Sequence, residues 1–530
     1  MAKQTRVAVI GAGISGLVAI KEALAAGFEV VGFDARPEVG GAWAYQDCAL
    51  DAQPNAVWSS MYQGTMLNSC RDTSSFSDFP FDPARYPDYF KHTLMLRYLN
   101  EYADHFGLRT HIRLRTTVLE CVPQEDGTWA VRTQEEGVSE PSTAIFDAVF
   151  ACSGHLSSPM VPDFPGLKDF QGQFLHSHCY RSPAPFEGKK VAIIGFGSSA
   201  VDIACEIAPQ AKELHLITRR GGWVLPRYIL GKPTEALDNR ATQLWVPSKL
   251  SQWLQTKLLN IVDIPSPPSL KPSHRLLEQS PTLRGDFKEK VATGLITIQR
   301  ATVSSFTPTG LSLTSTLPRP TTDTPLPTTL DVDVIIAATG YNLTLPYLPP
   351  STLSSPSTPP DAVDLYKLLL PAHHKNLFLL GFAETIGPLP PAAEAQARHA
   401  VALLAGRIPT PSQDEITRGI EAFHAHQAKE FVHSPRHALV THMIEYTDGL
   451  LEPIGAAPTF GRLLGRVFTS GRPWRALKVL NAVWFGIPAS AQWRLVGDGS
   501  GVELAEETVL RIAKGKGELS KGEKKALGLV

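Results

Sequence analysis

The chain has few cysteines, and none of them form a local pair. Its six cysteines are spread over 530 residues without a CxxC motif, which argues against a zinc ribbon, a redox-active disulfide pair and a disulfide framework. No run reaches the ~18 consecutive apolar residues of a membrane span, and no secretory signal precedes the first apolar stretch. The formal net charge of −1 gives no general electrostatic reason to bind nucleic acid or a charged membrane. We therefore expect a soluble, cytoplasmic protein with no transmembrane anchor and no nucleic-acid partner.

The composition is that of a folded α/β protein. Apolar residues make up 43% of the chain and charged residues 19%, so a sizeable core can form. A strand–helix–strand order occurs twice, at 5–10, 14–26 and 28–34 and again at 190–194, 198–208 and 213–218. Alternation of this kind favours parallel sheets. The sequence predicts two Rossmann-like dinucleotide-binding domains.

The first unit contains a glycine-rich turn, GAGISG at 11–16. Glycine at Gly11, Gly13 and Gly16 lets a pyrophosphate approach the backbone amides at a helix N-terminus. Asp34 ends the second strand of the unit, where a carboxylate can accept both ribose hydroxyls of an adenosine. These residues predict a dinucleotide site for a ligand with a free ribose 2′-hydroxyl.

The second unit contains the related turn GFGSSA at 195–200. Its second strand is followed by two arginines instead of a carboxylate, and a guanidinium can bind a 2′-phosphate that a carboxylate would repel. The second site therefore suits NADP, and the first suits FAD. The residues predicted to bind NADPH are Gly195, Gly197, Ser198, Ala200, Arg219 and Arg220.

With two such sites, the sequence resembles the flavin-containing monooxygenases, which are class B flavoprotein monooxygenases. The resemblance rests on PEVGGAW at 37–43, on the Phe170, Gly172, His176 and Tyr180 fingerprint, on ATGY at 338–341, and on segments at 394–398 and 492–497. It implies that Gly41, Trp43 and Gln396 also contribute to cofactor binding. It assigns His176 a structural role between the domains.

The same resemblance points to one catalytic residue. The family has a Thr-Asn pair shortly before an FxDFPF run, and this chain has Leu67 and Asn68 followed by FSDFPF at 76–81. The resemblance implies that the Asn68 amide lies beside the flavin, whereas Leu67 cannot supply the usual hydroxyl. It further implies that NADPH reduces FAD, that O₂ forms a C4a-hydroperoxyflavin, and that one oxygen atom passes to a small organic substrate.

Several alternatives stay open at this stage. A Baeyer–Villiger monooxygenase, which converts a ketone to an ester, is disfavoured by Tyr180, because those relatives usually carry Trp there. An NADPH-binding flavoprotein without oxygenase activity is a second alternative. A pyridine-nucleotide disulfide reductase would need the absent cysteine pair. The oligomeric state stays open, and a role in specialised (secondary) metabolism is a further expectation.

The domain limits follow from the positions of these motifs. We expect a discontinuous FAD-binding domain at 1–165 and 331–530, with a helical C-terminal region, and an NADPH-binding domain at 166–330. Two stretches rich in Pro, Ser and Thr, 307–330 and 348–362, predict surface loops. Arg71 is either a loop residue or a ligand to substrate or phosphate, and Trp223 and Arg227 are expected beside NADPH. We expect no metal site, since His373 and His374 lack a nearby third ligand.

Overall fold

Two parallel sheets carry the two strand–helix–strand units that the sequence predicts. The computed structural model describes residues 4–49, 57–316, 328–353, 358, 362–432, 438–515 and 517–527. The parts built around the two sheets are called the first and second domains below. The mixed α/β architecture with parallel sheets is as predicted.

The first sheet has five parallel strands with Arg6–Ile10 in the middle. In order across the sheet the strands are Leu377–Leu379, Ala148–Ala151, Arg6–Ile10, Glu29–Phe33 and Ile112–Arg113. Short runs of buried Val, Ile and Ala are typical of strands covered on both faces. Helix Ile14–Ala25 follows the central strand and packs against helix Leu389–Leu404, which brings a late part of the chain beside the first turn.

The second sheet has seven strands, of which five are parallel. Its order is Thr329–Asp331, Gly310–Ser315, Thr297–Thr307, Glu213–Thr218, Lys190–Ile194, Val334–Ala337 and Gln173–His176. Gly310–Ser315 pairs antiparallel with both of its neighbours, Thr297–Thr307 and Thr329–Asp331. Helix Ser198–Ile207 follows the strand Lys190–Ile194.

This sheet corrects two expectations. The stretch 307–330 is not a loop throughout, because Gly310–Ser315 forms a strand with buried Leu311 and Leu313. Residues 317–327, and residues 354–357 and 359–361 of the second Pro-rich stretch, lie outside the described residues. The expected domain limit at 330/331 is also too early, because Val334–Ala337 pairs with Lys190–Ile194 in the second sheet. Hydrogen bonding to that sheet, rather than composition, decides the limit.

The two chain segments that connect the domains lie side by side. Ser158–Pro159 leads into the second domain and pairs antiparallel with Tyr341–Asn342, which leads out of it. The amide of Met160 donates to the carbonyl oxygen of Gly340 at 2.9 Å. The connection is therefore a two-stranded ribbon.

The remaining elements surround the two sheets. Thr116–Pro123, Trp129–Glu135 and Ser142–Phe146 form an antiparallel meander. Short pairs join Val224–Leu225 to Thr282–Leu283, Tyr228–Ile229 to Lys232–Pro233, Leu365–Tyr366 to Leu370–Pro371, and Glu384–Ile386 to Val440–His442. The other helices are His92–His105, Arg240–Leu244, Ser248–Val262, Phe287–Ala292, Gln413–Glu430, Met443–Leu451, Phe460–Thr469, Pro473–Phe485, Val502–Ala513 and Lys521–Ala526. Among the described residues, none of the helices combines the length and the hydropathy that a membrane crossing requires.

Candidate active site

The first glycine turn packs against the end of the neighbouring strand. Gly11 has φ +105°, and a Cβ there would approach the carbonyl oxygen of Cys152 to 2.6 Å. A Cβ on Gly16 would come within 1.8 Å of the carbonyl oxygen of Gly11. These two glycines are therefore required by the fold itself, whatever the ligand.

Gly13, the middle glycine of this turn, faces the second predicted segment, residues 37–43. A Cβ on Gly41 would approach the Cα of Gly13 to 2.8 Å, so the two backbones are in contact. The amide of Gly40 also donates to the carbonyl oxygen of Ala12 at 2.9 Å. Trp43 ends this segment in a short 3-10 turn and packs against the core of the first domain. The structure thus brings the two predicted FAD segments together.

Asp34 lies at the carboxyl end of its strand, beside the turn. One carboxylate oxygen accepts a hydrogen bond from the amide of Ala12 at 2.7 Å, and the other accepts one from the amide of Arg36 at 2.9 Å. Each oxygen keeps a lone pair for a further donor. The helix that begins at Ile14 has neither a side-chain cap nor an acidic residue in its first turn, so its N-terminus can receive an anion.

Gln396 does not face this cleft. It is completely buried, its Oε1 accepts from the amide of Gly381 at 2.8 Å, and its Nε2 donates to the Leu368 carbonyl oxygen and to the Tyr446 hydroxyl. The predicted cofactor contact is therefore corrected. Because its polar atoms are already bonded within the protein, Gln396 positions the chain at Gly381 instead of touching a ligand.

The second glycine turn is built in the same way as the first. Gly195 has φ +125°, and a Cβ there would approach the carbonyl oxygen of Ala338 to 2.2 Å. Ala338 follows a neighbouring parallel strand, just as Cys152 does in the first domain. The helix that follows the turn begins at Ser198, which is half-buried, and its third residue, Ala200, is fully buried.

Gly197 differs from its counterpart Gly13. A Cβ on Gly197 would meet no heavy atom within 4 Å among the described residues. The helix that it begins has neither a side-chain cap nor an acidic residue in the first turn. The space beside Gly197 is therefore available to an anionic group, as a dinucleotide phosphate requires.

Arg219 and Arg220 are exposed at the end of strand Glu213–Thr218, where the 2′-phosphate site is predicted. A third arginine, which the sequence reasoning missed, supports them. Arg300 is buried and donates to the backbone carbonyl oxygens of Arg219 at 3.1 Å and Lys271 at 2.9 Å. It has no carboxylate partner among the described residues, and burial lowers the pKa of its guanidinium. The positive charge of Arg300 adds to those of Arg219 and Arg220, and together they favour the binding of an anion at this loop.

Asn68 is exposed, whereas the residues on both sides of it are held in place. Leu67 is buried in the first-domain core and its amide donates to the carbonyl oxygen of Phe90 at 2.9 Å. Ser69 is buried and shares a 2.7 Å hydrogen bond with Ser74. Within the described part of the chain, no group hydrogen-bonds the Asn68 carboxamide. A fixed backbone therefore presents an available amide.

The segment that carries Asn68 also touches the second domain. The hydroxyl of Tyr62 donates to Asp202 at 2.9 Å, and Asp202 lies on the helix that follows the second glycine turn. Glu235 accepts hydrogen bonds from the amide of Cys70 at 2.6 Å and from the hydroxyl of Tyr89 at 2.7 Å. Asn68 therefore lies where the two domains meet. Sequence reasoning missed Glu235, because the contact spans 165 positions.

Other predicted residues take structural roles. Arg71 is buried and donates to the carbonyl oxygen of Tyr86 at 2.8 Å, so it is a loop residue and not a ligand. His176 is buried and accepts at Nδ1 from the amide of His178, with its ring against Tyr341. The indole of Trp223 donates to the carbonyl oxygen of His274.

Arg494 organises a buried charge cluster behind the first turn. Its Nη2 bonds to Glu22 and Glu394 at 2.5 Å each and to Asp78 at 3.1 Å. Burial would raise the pKa of Glu22, but Arg494 and Lys21 hold that pKa below its ordinary value. The three carboxylates are close enough to hold a cation, and the guanidinium of Arg494 already bridges them.

Comparisons with known proteins agree with this geometry. A family profile described as flavin-binding monooxygenase-like matches residues 4–513. Flavin-containing monooxygenase 5 of Cavia porcellus is 33% identical over 509 residues, covering 93% of this chain and 89% of the relative.

Solved structures agree as well. The S-allyl-L-cysteine S-oxygenase of Allium sativum superposes with a TM-score of 0.63 at 23% identity, covering 89% of this chain and 94% of that one. An OTEMO complex with FAD and NADP superposes with a TM-score of 0.61 at 20% identity, covering 85% and 98%.

Proposed function

The chain belongs to the flavin-binding monooxygenase-like family, and from this premise we propose that it uses NADPH and O₂ to transfer one oxygen atom to a small organic substrate. It is a flavin-dependent monooxygenase with FAD and NADP as cofactors. One observation carries the proposal. The Asn68 segment, which presents an available amide, is bonded both to the first domain and to the helix of the second glycine turn.

The first domain would hold FAD. The amides of the 11–16 turn and the open N-terminus of helix Ile14–Ala25 suit its pyrophosphate, and Asp34 retains acceptor capacity for ribose hydroxyls. Gly41 and Trp43 would flank the same ligand. When bound, FAD supplies the hydride acceptance and the reaction with O₂ that amino-acid side chains cannot provide.

The second domain would hold NADPH. The uncovered space at Gly197 suits the pyrophosphate, and Arg219 and Arg220 suit the 2′-phosphate. Arg300 holds the backbone of this loop and adds positive charge. A carboxylate is absent from the position after the second strand, which favours NADPH over NADH.

Asn68 would act at the reacting centre. Its backbone is fixed on both sides, so its carboxamide can donate to the flavin or to the oxygen being transferred without a reorganisation cost. The contacts of Tyr62 and Glu235 close the segment against the second domain and would limit the access of water. Transfer to nitrogen or sulfur is our first expectation, and a place in specialised metabolism stays a prediction.

The experiment measures how the consumed O₂ is divided between an oxygenated organic product and H₂O₂. FAD-loaded protein receives NADPH and ¹⁸O₂ with a thioether, a tertiary amine or a cyclic ketone, and O₂ uptake, H₂O₂ and products are quantified. One ¹⁸O atom in a sulfoxide or N-oxide supports the proposal. An ¹⁸O-labelled ester as the sole product would favour the Baeyer–Villiger alternative. Release of all the oxygen as H₂O₂, with every substrate, would favour a flavoprotein without oxygenase activity.

A further inference from the structure

Two cysteines that lie 131 positions apart in the chain are in contact between the two domains. The thiol of Cys48 donates to the backbone carbonyl oxygen of Cys179, with sulfur and oxygen 3.6 Å apart. Cys48 follows the first-domain segment that ends at Trp43. Cys179 ends a short 3-10 turn directly after strand Gln173–His176 of the second sheet. The two thiols therefore belong to different domains, and no local cysteine motif could indicate the pair.

The segments that carry the two thiols are held together by further hydrogen bonds. Arg181 donates from Nε to the carbonyl oxygen of Gln46 at 2.6 Å and from Nη2 to that of Ser59 at 2.8 Å. A ring nitrogen of His178 lies 2.8 Å from the carbonyl oxygen of Val57. A disulfide needs Cα atoms roughly 4.4–6.8 Å apart. A pair that is fixed in side-chain-to-backbone contact is compatible with that requirement.

The two thiols differ in their access to solvent. All six cysteines lie in the described part of the chain, and Cys48 is the one that is not buried. Cys179 is only 2% exposed. A small oxidant therefore reaches Cys48 first, and Cys179 lies beside it as the second thiol. An accessible cysteine next to a resolving cysteine is the arrangement of oxidant-sensitive pairs.

The groups around the two thiols affect how fast they react. Burial raises the pKa of both thiols, and the guanidinium of Arg181 acts on each pKa in the opposite direction. Asp47 raises the pKa of Cys48 further, and the Cys48 thiol contributes to the raised pKa of Cys179. Because the thiolate is the reactive form, the pair should oxidise slowly at neutral pH and faster as the pH rises.

We propose that Cys48 and Cys179 form a reversible disulfide that joins the two domains when the protein meets hydrogen peroxide. The sulfur of Cys48 attacks one peroxide oxygen, the O–O bond breaks, and Cys48 becomes a sulfenic acid as one water is released. The sulfur of Cys179 then attacks the sulfur of Cys48, the S–O bond breaks, and a second water leaves as the S–S bond forms. The two thiols lose two electrons and two protons in total, and one H₂O₂ accepts them to become two waters.

The proposed reaction can supply this oxidant, because oxygen that is not transferred to a substrate leaves as H₂O₂. Only the source of the peroxide rests on the proposed function, whereas the pairing of the thiols does not. The residue after Cys179 also connects the domains, since the hydroxyl of Tyr180 donates to Glu206 on the helix of the second glycine turn at 2.9 Å. A disulfide here would hold the domains in one relative position and slow steps that need them to move, such as NADP⁺ release.

The test treats full-length, FAD-loaded protein with added H₂O₂ and then blocks the remaining thiols. Intact-mass spectrometry should show the loss of two hydrogen atoms, and a digest without reductant should contain two peptides joined through Cys48 and Cys179. Reduced thioredoxin or dithiothreitol should reverse both changes. The disulfide should form faster at higher pH. NADP⁺ should dissociate from the oxidised protein at least about threefold more slowly than from the reduced protein.

Two variants and one control identify the thiols. Cys48→Ser removes the accessible thiol and should form no disulfide. Cys179→Ser retains that thiol, so Cys48 should stop at the sulfenic acid, which dimedone traps. Cys121→Ala removes a buried thiol elsewhere in the first domain and should form the disulfide like the wild type. All three should retain FAD, and in the two serine variants peroxide should leave the rate of NADP⁺ dissociation unchanged.

The proposal is overturned if peroxide joins no cysteines, if the joined peptides contain a different cysteine, or if Cys48 of the wild type passes to a sulfinic acid without pairing. Unchanged dissociation of NADP⁺ from the oxidised wild type would also overturn it, because the domains would not be held. These outcomes do not depend on oxygen transfer. Failure of the proposed function would appear separately, as release of all the consumed O₂ as H₂O₂ with every substrate.

Discussion

The carboxylate of Glu235 accepts a 2.6 Å hydrogen bond from the backbone amide of Cys70, two residues after Asn68. The same carboxylate accepts from the hydroxyl of Tyr89 at 2.7 Å. Glu235 belongs to the second domain, and Cys70 and Tyr89 belong to the first. A side chain of the nucleotide-binding domain therefore fixes the loop that carries the candidate catalytic residue.

Replacing Glu235 should disturb the use of oxygen more than the reduction of the flavin. Glu235→Ala leaves the Cys70 amide and the Tyr89 hydroxyl without their acceptor, at a cost of about 1–3 kcal/mol for each group that stays buried. The loop should become mobile, and a larger share of consumed NADPH should yield H₂O₂. Glu235→Gln retains one acceptor and should be intermediate. Unchanged product per NADPH in both variants would contradict the assigned role of the contact.

Asn68→Asp should uncouple the enzyme. The change replaces an amide donor with a negative charge, and the loss of one preorganised donor costs about 2.7–4 kcal/mol of transition-state stabilisation. Flavin reduction by NADPH should survive much better than product formation, so most of the consumed O₂ should appear as H₂O₂.

Asn68→Ala provides the stability control for this prediction. The side chain is exposed and makes no hydrogen bond to the described residues, so the free energy of unfolding should change by less than about 0.5 kcal/mol. A fully coupled Asn68→Asp variant would mean that Asn68 is only a loop residue.

Arg219→Ala should raise the KM for NADPH about tenfold or more, because a charge-assisted contact to phosphate contributes about 1.5–3 kcal/mol before solvent screening. The KM for NADH should change little. The ratio of the two KM values is the measurement. An equal loss for both cofactors would show that Arg219 does not contact the 2′-phosphate.

Substitutions at the two glycines of the second turn should distinguish an effect on stability from an effect on NADPH binding. Gly197→Ala adds a methyl group at φ −123° where none of the described residues places an atom within 4 Å, so stability should hardly change while NADPH binding weakens. Gly195→Ala places its methyl group 2.2 Å from the Ala338 oxygen at φ +125°, so it should destabilise the domain itself. Urea unfolding and NADPH titration measure the two effects. Equal NADPH affinity in Gly197→Ala would place the phosphate elsewhere.

Arg494→Met should destabilise the first domain by about 3–5 kcal/mol, because buried Glu22 and Glu394 lose the guanidinium that bridges them. The effect should depend on pH. Glu22 has a folded-state pKa below its ordinary value of 4.5, so its contribution is present above pH 4.5 and is lost as the pH falls below that value. In the variant, the remaining carboxylates should accept protons more readily, so the difference from the wild type should shrink on acidification. Urea unfolding of both proteins at pH 7 and pH 4 measures this difference in the free energy of unfolding.

Features that depend on residues close together in the chain could be predicted from the sequence, whereas contacts between distant residues could not. Both glycine turns and the carboxylate–arginine contrast between Asp34 and Arg219 follow from residues close together in the chain. The strand Gly310–Ser315 was missed because its Ser and Thr content suggested a loop, although the alternating Leu311 and Leu313 gave a period-two signal. Glu235, Arg300 and Arg494 act across many positions, and no local pattern indicates their partners.

The resemblance to the family identified a residue near the first domain's turn, but it did not correctly assign what that side chain contacts. It assigned Gln396 to cofactor binding, yet Gln396 is buried and bonded within the protein. Such residues determine where the backbone lies beside a cofactor. A sequence pattern alone cannot separate that role from direct contact with the ligand.

The two-stranded ribbon at Ser158–Pro159 and Tyr341–Asn342 has a consequence for engineering. Paired strands lie about 5 Å apart, so the second domain begins and ends at nearly one point of the first. It is therefore arranged like a domain inserted into a hairpin, and a short turn could replace it without stretching the chain. The same ribbon is also a point at which another nucleotide-binding domain could be grafted in place of the second one.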